Sequence, residues 1–181
     1  LVIGGSQGAR IFSDVVPAAV ALLPGELSRR LRIEQQCRPE DLARVADAYK
    51  AHGIAAEVAG FFTDMPAHLA RAQLVISRAG ASSLTEIMAM GRPSILVPYA
   101  AAADDHQRAN AEALARAGGA VRILQQSFTP VALAAELVAL AGAPERLEAM
   151  AKAALAMFRG DAAGRLADAV LALAGPTGES R

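Results

Sequence analysis

The sequence contains, at residues 74–90, the stretch LVISRAGASSLTEIMAM. Its apolar opening, Leu74 to Ser77, predicts a short buried strand. Gly80 and Ala81 then lead into a predicted helix over Ser82 to Met90, which is stopped by Gly91. A strand, a tight turn and a returning helix form the repeating unit of parallel α/β folds. This stretch therefore predicts an α/β fold.

The same alternation runs along most of the chain. Strands are predicted at 1–5, 31–35, 56–59, 74–77, 93–98 and 120–124, with helical spacing between them and two or three helices over 130–174. Residues 9–23 have helix-like spacing, with an early break or a start expected near Pro17. Because the strands are continuously apolar, we expect a doubly wound, parallel six-stranded Rossmann-like sheet with ligands beyond the carboxyl ends of its strands.

Composition and charge exclude several function classes. The chain has 181 residues, which predicts one domain, and its 18 basic and 18 acidic residues give no net charge that would attract nucleic acid. No apolar run reaches the length of a membrane span. The single cysteine, Cys37, excludes an internal disulfide and a cysteine-built zinc site, and the spacing of His52, His68 and His106 suggests no metal triad. We expect neither a metal nor a cofactor.

The first glycine-rich turn, GGSQGAR at residues 4–10, joins a strand to a helix. Free backbone N–H groups at such a turn favour an anion, although a plain tight turn is an equal alternative. A dinucleotide fingerprint would need glycine where Ile3 stands, and a phosphate-binding P-loop would need lysine where Ala9 stands. Both of these nucleotide motifs are therefore weakened.

The second turn, SRAGASSLTE at residues 77–86, again joins a strand to a helix. Gly80, Ala81 and Ser82 are small enough for a phosphate to approach the amide groups at the helix start. Glu86 lies four residues after Ser82 on the same helical face, and its two oxygens suit a vicinal diol such as ribose. A capping box, Ser83-x-x-Glu86, explains the same pattern equally well without any ligand.

Two further clusters follow other predicted strands. The stretch DDHQRANA, residues 104–111, could contact sugar hydroxyls, although Asp104-x-x-Gln107 also resembles a helix cap. The stretch GFFTDM, residues 60–65, places two aromatic rings at a strand end. Phe62 could line a flat base there, but Phe61 or Phe62 as plain core is the stronger interpretation. The histidines and carboxylates assemble no general base.

Four motifs occur in one order: GGSQGAR, GFFTDMP, SRAGASSLTEIMAMGRPSILVPY and DDHQRANA. Together they resemble the C-terminal half of MurG-type glycosyltransferases over about residues 1–175, with 176–181 as a frayed tail. That family transfers N-acetylglucosamine from UDP-GlcNAc to an undecaprenyl-linked muramyl-pentapeptide in peptidoglycan synthesis. The resemblance implies the C-terminal, donor-binding domain of a two-domain GT-B fold, and peripheral association of the full protein with the cytoplasmic face of the inner membrane.

The resemblance also implies a donor site. Its residues are Ser6, Phe62, Arg78, Gly80, Ala81, Ser82, Ser83, Leu84, Thr85, Glu86, His106 and Gln107. Ser6 is expected to contact the donor in the interdomain cleft, and Phe62 to lie beside the uracil. The segment 81–85 is expected near the diphosphate and nucleoside, Glu86 on the ribose and Gln107 on a sugar hydroxyl. His106 stands where many relatives have glutamine.

The catalytic base and the lipid-acceptor site are implied to lie in an N-terminal domain. Because Leu1 opens directly into a predicted strand, we expect an excised piece that lacks that domain. The alternatives are a donor-binding subunit of another lipid-directed UDP-sugar transferase, a nicotinamide-dependent dehydrogenase domain, and a regulatory module that binds UDP-sugars. Tight NAD binding would favour the dehydrogenase. A complete protein that shows no transfer would favour the regulatory module.

Overall fold

The computed structural model describes residues 1–5, 9–100, 105–160 and 170. The strands are β1 (Val2–Ile3), β2 (Arg32–Gln36), β3 (Ala55–Ala59), β4 (Val75–Ser77), β5 (Ser94–Leu96) and β6 (Ala120–Arg122). The helices are α1 (Arg10–Ala21), α2 (Gly25–Arg30), α3 (Leu42–Ala51), α4 (Met65–Arg71), α5 (Ala81–Ala89), α6 (His106–Arg116), α7 (Pro130–Ala141) and α8 (Pro144–Met157). Short 3₁₀ turns occupy Pro39–Asp41 and Gln125–Ser127. No helix within the described residues has both the length and the apolar character needed to cross a membrane.

The strands form a six-stranded sheet in the order β3-β2-β1-β4-β5-β6. Every pair is parallel, and Val2 lies opposite Gln35 on one side and opposite Ile76 on the other. From β1 the chain adds β2 and β3 on one side of the sheet. It then crosses to the other side of β1, where it adds β4, β5 and β6. The order therefore reverses between β1 and β4, which is the switch point where such sheets bind ligands.

Adjacent strand residues face opposite sides of the sheet. Val2, Ile76 and Ile95 pack into one apolar cluster, with side chains of α1, α3 and α7. Ile3, Val75 and Leu96 pack into the other, with side chains of α4, α5, α6 and α8. Because the side chains of a strand alternate, a continuous apolar run must have helices on both faces. The predicted doubly wound, Rossmann-like fold is confirmed.

Helix α1 continues through Pro17, so the break or start expected near that residue is wrong. Proline lacks an N–H group, and Pro17 consequently leaves the carbonyl of Ser13, four residues earlier, without its helical donor. The Arg44 guanidinium on α3 lies 3.4 Å from that carbonyl oxygen and donates to it. A side chain from another helix thus supplies the missing hydrogen bond.

Other boundaries differ from the prediction in smaller ways. Helix α2 was not predicted, because none of its residues is buried and it has no apolar face. The strand expected at 31–35 begins and ends one residue later. The strand expected at 93–98 is limited to Ser94–Leu96, and the helix expected from Asp104 begins at His106. The tail predicted at 176–181 lies outside the described residues.

Candidate functional site

The candidate site lies at the carboxyl edge of the sheet, around the switch point. Gly4 and Gly5 follow β1 there, and the φ of Gly5, 81°, is one that L side chains rarely adopt. Ile3 pairs with Ser77, so this first turn adjoins the turn between β4 and α5. Ser6, the donor contact expected in the first turn, lies outside the described residues.

The second turn leads into α5 at the same edge. Its N-cap residue, Gly80, makes no side-chain cap, and a Cβ atom placed there would meet nothing within 4 Å. The first hydrogen bond of the helix runs from the Leu84 N–H group to the Gly80 carbonyl. The N–H groups of residues 81–83 therefore precede the helical ladder, and Ala81 and Ser82 are exposed. An uncapped helix start with open space before it suits an anionic group.

Glu86 lies one turn further along α5 and is exposed. Because the helix begins at Ala81, Ser83 is its third residue and cannot be an N-cap, so the alternative capping box Ser83-x-x-Glu86 is wrong. The hydroxyl of Thr85 donates to the Ala81 carbonyl at 2.9 Å. Glu86 forms no ion pair within residues 1–5, 9–100 and 105–160, which leaves both carboxylate oxygens for a ligand.

Arg78 is buried at the end of β4, with 9% of its surface exposed. Its Nη1 donates to the carbonyls of Val97 and Pro98 at 3.1 and 3.2 Å. The guanidinium carbon lies 5.4 Å from the ring centre of Phe12 and 5.3 Å from that of Tyr99. Desolvation lowers the pKa of Arg78, and among the described residues no carboxylate pairs with it. A buried cation without a counter-charge favours an anion beside it.

Gln107 connects two strand ends from the first turn of α6. Its Oε1 accepts hydrogen bonds from the N–H groups of Ala79, at 3.3 Å, and Tyr99, at 3.0 Å. Asn110, three residues further along the same helical face, donates to the Ala79 carbonyl at 3.2 Å. The Gln107 amide is thereby oriented, and its nitrogen has no bond to another described residue. His106 begins the helix and is exposed.

Phe62 and Leu84 reach the edge only through their backbones. The side chain of Phe62 is buried, whereas Phe61 is 67% exposed, so of the two aromatic residues Phe62 is the one that belongs to the core. Leu84 is also buried, in the apolar cluster on the face of the sheet that α4, α5, α6 and α8 cover. Phe62 follows β3, and β3 is separated from β4 by β2 and β1, roughly 14 Å at ordinary strand spacing. A base, a ribose and a diphosphate in line can cross that distance.

A cavity of about 700 Å³ opens at the opposite edge of the sheet. Its lining includes Leu1, Leu31, Ala55 and Leu74, all of which lie at the amino ends of strands. Open α/β sheets bind ligands beyond the carboxyl ends, so we place the site at the switch point and not in this cavity. No group of three or more metal-ligating side chains occurs in the part of the chain that the structure describes.

Residues 1–166 match the glycosyltransferase family 28 C-terminal domain. The chain belongs to this family. The resemblance to the C-terminal half of MurG-type enzymes, drawn from four motifs, is thereby confirmed, and a nicotinamide-dependent dehydrogenase domain is no longer a competing interpretation.

Curated members of the family include two close relatives. Both are named UDP-N-acetylglucosamine--N-acetylmuramyl-(pentapeptide) pyrophosphoryl-undecaprenol N-acetylglucosamine transferase. The one from Nitrobacter winogradskyi is 56% identical over 96% of this chain and 47% of its own length. The one from Paramagnetospirillum magneticum is 56% identical over the same shares. The chain therefore spans about half the length of the curated relatives that it matches.

A solved structure shows the same family fold. The crystal structure of Acinetobacter baumannii MurG superposes with a TM-score of 0.84 at 30% identity. The match covers 93% of this chain and 50% of that one. The domain described here thus corresponds to about half of that solved MurG chain.

Sequence reasoning missed the residues that hold the site together. Phe12 and Tyr99 enclose the Arg78 guanidinium, and Asn110 binds the turn after β4. Asn110 was open to prediction, because it lies one turn after Gln107 on a single helical face. The contacts of Phe12 and Tyr99 join parts of the chain that are distant in sequence, and no local pattern indicates them.

Proposed function

We propose that this chain is the donor-binding half of an inverting glycosyltransferase that moves N-acetylglucosamine from UDP-GlcNAc to an undecaprenyl-linked muramyl-pentapeptide. Membership of family 28 supports this proposal, as do the close relatives named for that transfer. The observation that carries it is the open start of α5 at the switch point, with Glu86 one turn away and free of ion pairs among the described residues.

In this proposal the UDP-GlcNAc donor lies along the carboxyl edge of the sheet. The diphosphate is held by the N–H groups of Ala81, Ser82 and Ser83, where the helix dipole and the buried Arg78 cation favour negative charge. The two oxygens of Glu86 accept hydrogen bonds from the two ribose hydroxyls. The backbone at Phe62 lies beside the uracil, and the oriented Gln107 amide donates to a sugar hydroxyl.

The reaction is a displacement at the anomeric carbon. An acceptor hydroxyl attacks that carbon and gives its proton to the general base, while the bond between the carbon and the diphosphate oxygen breaks. UDP leaves, and the configuration at the anomeric carbon inverts. The leaving diphosphate gains negative charge as the bond breaks. Backbone N–H groups already aimed at it stabilise that charge without reorganising, which lowers the barrier.

The acceptor site and the general base belong, in our proposal, to an amino-terminal domain of the complete protein. The lipid-linked acceptor requires peripheral association of that protein with the cytoplasmic face of the bacterial inner membrane. The half-length coverage of the curated relatives supports a second domain of similar size. Donor binding is thus the part of the function assigned to the chain described here.

Calorimetric titration of the chain with UDP-GlcNAc, UDP, UDP-glucose and NAD tests the proposal. We expect UDP and UDP-GlcNAc to bind in preference to NAD. Replacing Glu86 with alanine should weaken UDP binding by roughly 1.5–3 kcal/mol, about ten- to a hundredfold, because a charged hydrogen-bonding group is lost. Glu145→Ala, an exposed carboxylate at the start of α8, is the matched control. Equal UDP affinity in the Glu86→Ala and unsubstituted chains would refute the assigned role.

A further inference from the structure

The loop after β3, residues 60–64, is anchored at both ends; we call it the base loop. At its start, the Gln36 side-chain amide donates to the Gly60 carbonyl at 3.3 Å. At its end, the Asp64 carboxylate accepts a hydrogen bond from the Ala67 N–H group at 3.1 Å and caps α4. Between these two points the loop contains no other anchor of its own, so its central residue needs support from elsewhere.

That support comes from the imidazole of His68 on α4. The ring centres of Phe62 and His68 are 4.1 Å apart, with 38° between the ring planes. The Phe62 side chain is 4% exposed, and that of His68 is 12% exposed. Because the Phe62 ring is stacked on His68 and buried, it offers no face to a ligand. The stacking instead fixes where the Phe62 backbone lies.

His68 is in turn held by Glu34 on β2. Its Nδ1–H group donates to Oε2 of Glu34 at 2.7 Å, and Arg71 donates to Oε1 at 3.1 Å. Burial alone would raise the pKa of Glu34, but the hydrogen bonds from His68 and Arg71 and the nearby positive charge of Arg71 hold it below its usual value. Glu34 therefore remains a carboxylate and fixes the orientation of the His68 ring.

We propose that Glu34 and His68 are positioning residues that set the base-dependent part of nucleotide affinity by holding Phe62 and the base loop in place. This proposal rests on the proposed function, in which the Phe62 backbone lies beside the uracil. The pair links a central strand to the base loop through α4, and none of its atoms lies at the start of α5. It therefore affects recognition of the base and leaves recognition of the diphosphate unchanged.

The test separates these two parts of the ligand by titrating the chain with UDP and with inorganic pyrophosphate. We expect His68→Ala to weaken UDP binding by about tenfold, the effect of one lost aromatic contact, and to leave pyrophosphate binding unchanged. Glu34→Ala should weaken UDP binding in the same direction. His68→Phe, which keeps a ring under Phe62, should recover most of the UDP affinity. His52→Ala, at an exposed helix end, is the remote control.

The outcomes are distinguishable. Parallel loss of UDP and pyrophosphate binding in His68→Ala would indicate general loosening of the fold and would overturn the proposal, as would unchanged UDP affinity. If His68→Ala does not fold, His68→Gln answers the same question, because it can still bond to Glu34 but has no ring. Failure of the unsubstituted chain to bind UDP would refute the proposed function first, and this proposal with it.

Discussion

At the scale of single residues, Tyr49 provides a test of burial through pH. Its side chain is 1% exposed, and its hydroxyl donates to Oε1 of Gln35. Burial raises the pKa of Tyr49 above its ordinary value, so the folded chain keeps this proton where the unfolded chain loses it. The contribution to stability is therefore complete below the unfolded pKa, about 10, and decreases as the pH rises above that value.

Tyr49→Phe should remove this loss of stability at alkaline pH. We expect the free energy of unfolding of the unsubstituted chain to fall above about pH 10 by up to about 1.4 kcal/mol per pH unit more than that of the variant. Urea denaturation at a series of pH values measures both slopes. Tyr99→Phe, which changes the exposed tyrosine of the chain, should keep the slope. Identical slopes in Tyr49→Phe and the unsubstituted chain would contradict the prediction.

Residue types at the candidate site could be predicted, but their contacts could not. Ser83-x-x-Glu86 fits both a capping box and a ligand site, and only the helix start at Ala81 excludes the cap. Arg78 was predicted as a donor contact, and the structure shows it buried between two rings. Such partners come from separate elements, so a sequence window cannot contain them. The direct role of Arg78 toward a donor stays a prediction.

At the scale of elements, Arg44 joins α1 to α3. One of its nitrogens donates to Asp14, at 2.8 Å, and to Asp41, at 2.7 Å, and the other donates to the Ser13 carbonyl that Pro17 leaves without a helical donor. This arrangement explains how α1 passes through a proline without breaking. It also predicts that Pro17 and Arg44 are coupled energetically, because a residue with an N–H group at position 17 would compete for the same carbonyl.

A double-mutant cycle measures that coupling. Arg44→Ala should lower the free energy of unfolding by about 1–3 kcal/mol, because it removes hydrogen bonds to charged groups and one to a carbonyl. In a Pro17→Ala background, Arg44→Ala should lower the free energy of unfolding by about 0.5–1 kcal/mol less, because the restored N–H group of residue 17 donates to the Ser13 carbonyl. Arg38→Ala removes an exposed ion pair with Glu40, whose atoms are 3.9 Å apart, and should change the free energy of unfolding little. Equal costs in both backgrounds would disprove the coupling.

The order and type of the elements could largely be predicted from pattern. A predicted strand overlaps each of the six strands of the described sheet, and most of these predictions came from apolar runs, because a strand buried on both faces has few polar residues. Two kinds of error have physical causes. Helix α2 has no buried residue and thus no periodic signal, and Pro17 was expected to break α1 because its compensation lies on another helix. A local sequence pattern indicates which side chains an element buries, but it does not indicate the hydrogen bonds that a neighbouring element donates to it.

At the scale of the whole molecule, the faces and the carboxyl edge of the sheet differ in how far helices cover them. Helices cover both faces, whereas the start of α5 is open and uncapped. A site on an open edge is exposed to water, in which hydrogen bonds and charges act less strongly on a reacting group. The proposed transfer therefore needs a second domain to cover the edge and exclude water. Donor binding and transfer should accordingly separate in an experiment.

The chain alone should bind UDP-GlcNAc and transfer little or no sugar to a lipid-linked muramyl-pentapeptide. A chimera that joins it to the remaining half of the Nitrobacter winogradskyi relative, with which it shares 56% identity, should transfer. Radiolabelled N-acetylglucosamine in the lipid product measures the rate.

In the chimera, Glu86→Ala should raise the KM for UDP-GlcNAc by about tenfold or more, because the loss falls on donor binding. Glu145→Ala should leave both KM and kcat unchanged, since that carboxylate lies at the exposed start of α8. Transfer by the chain alone at the rate of the chimera would show that no second domain is needed. An inactive chimera beside an active relative, with UDP-GlcNAc still bound, would instead show that this donor domain serves a different acceptor or another partner domain.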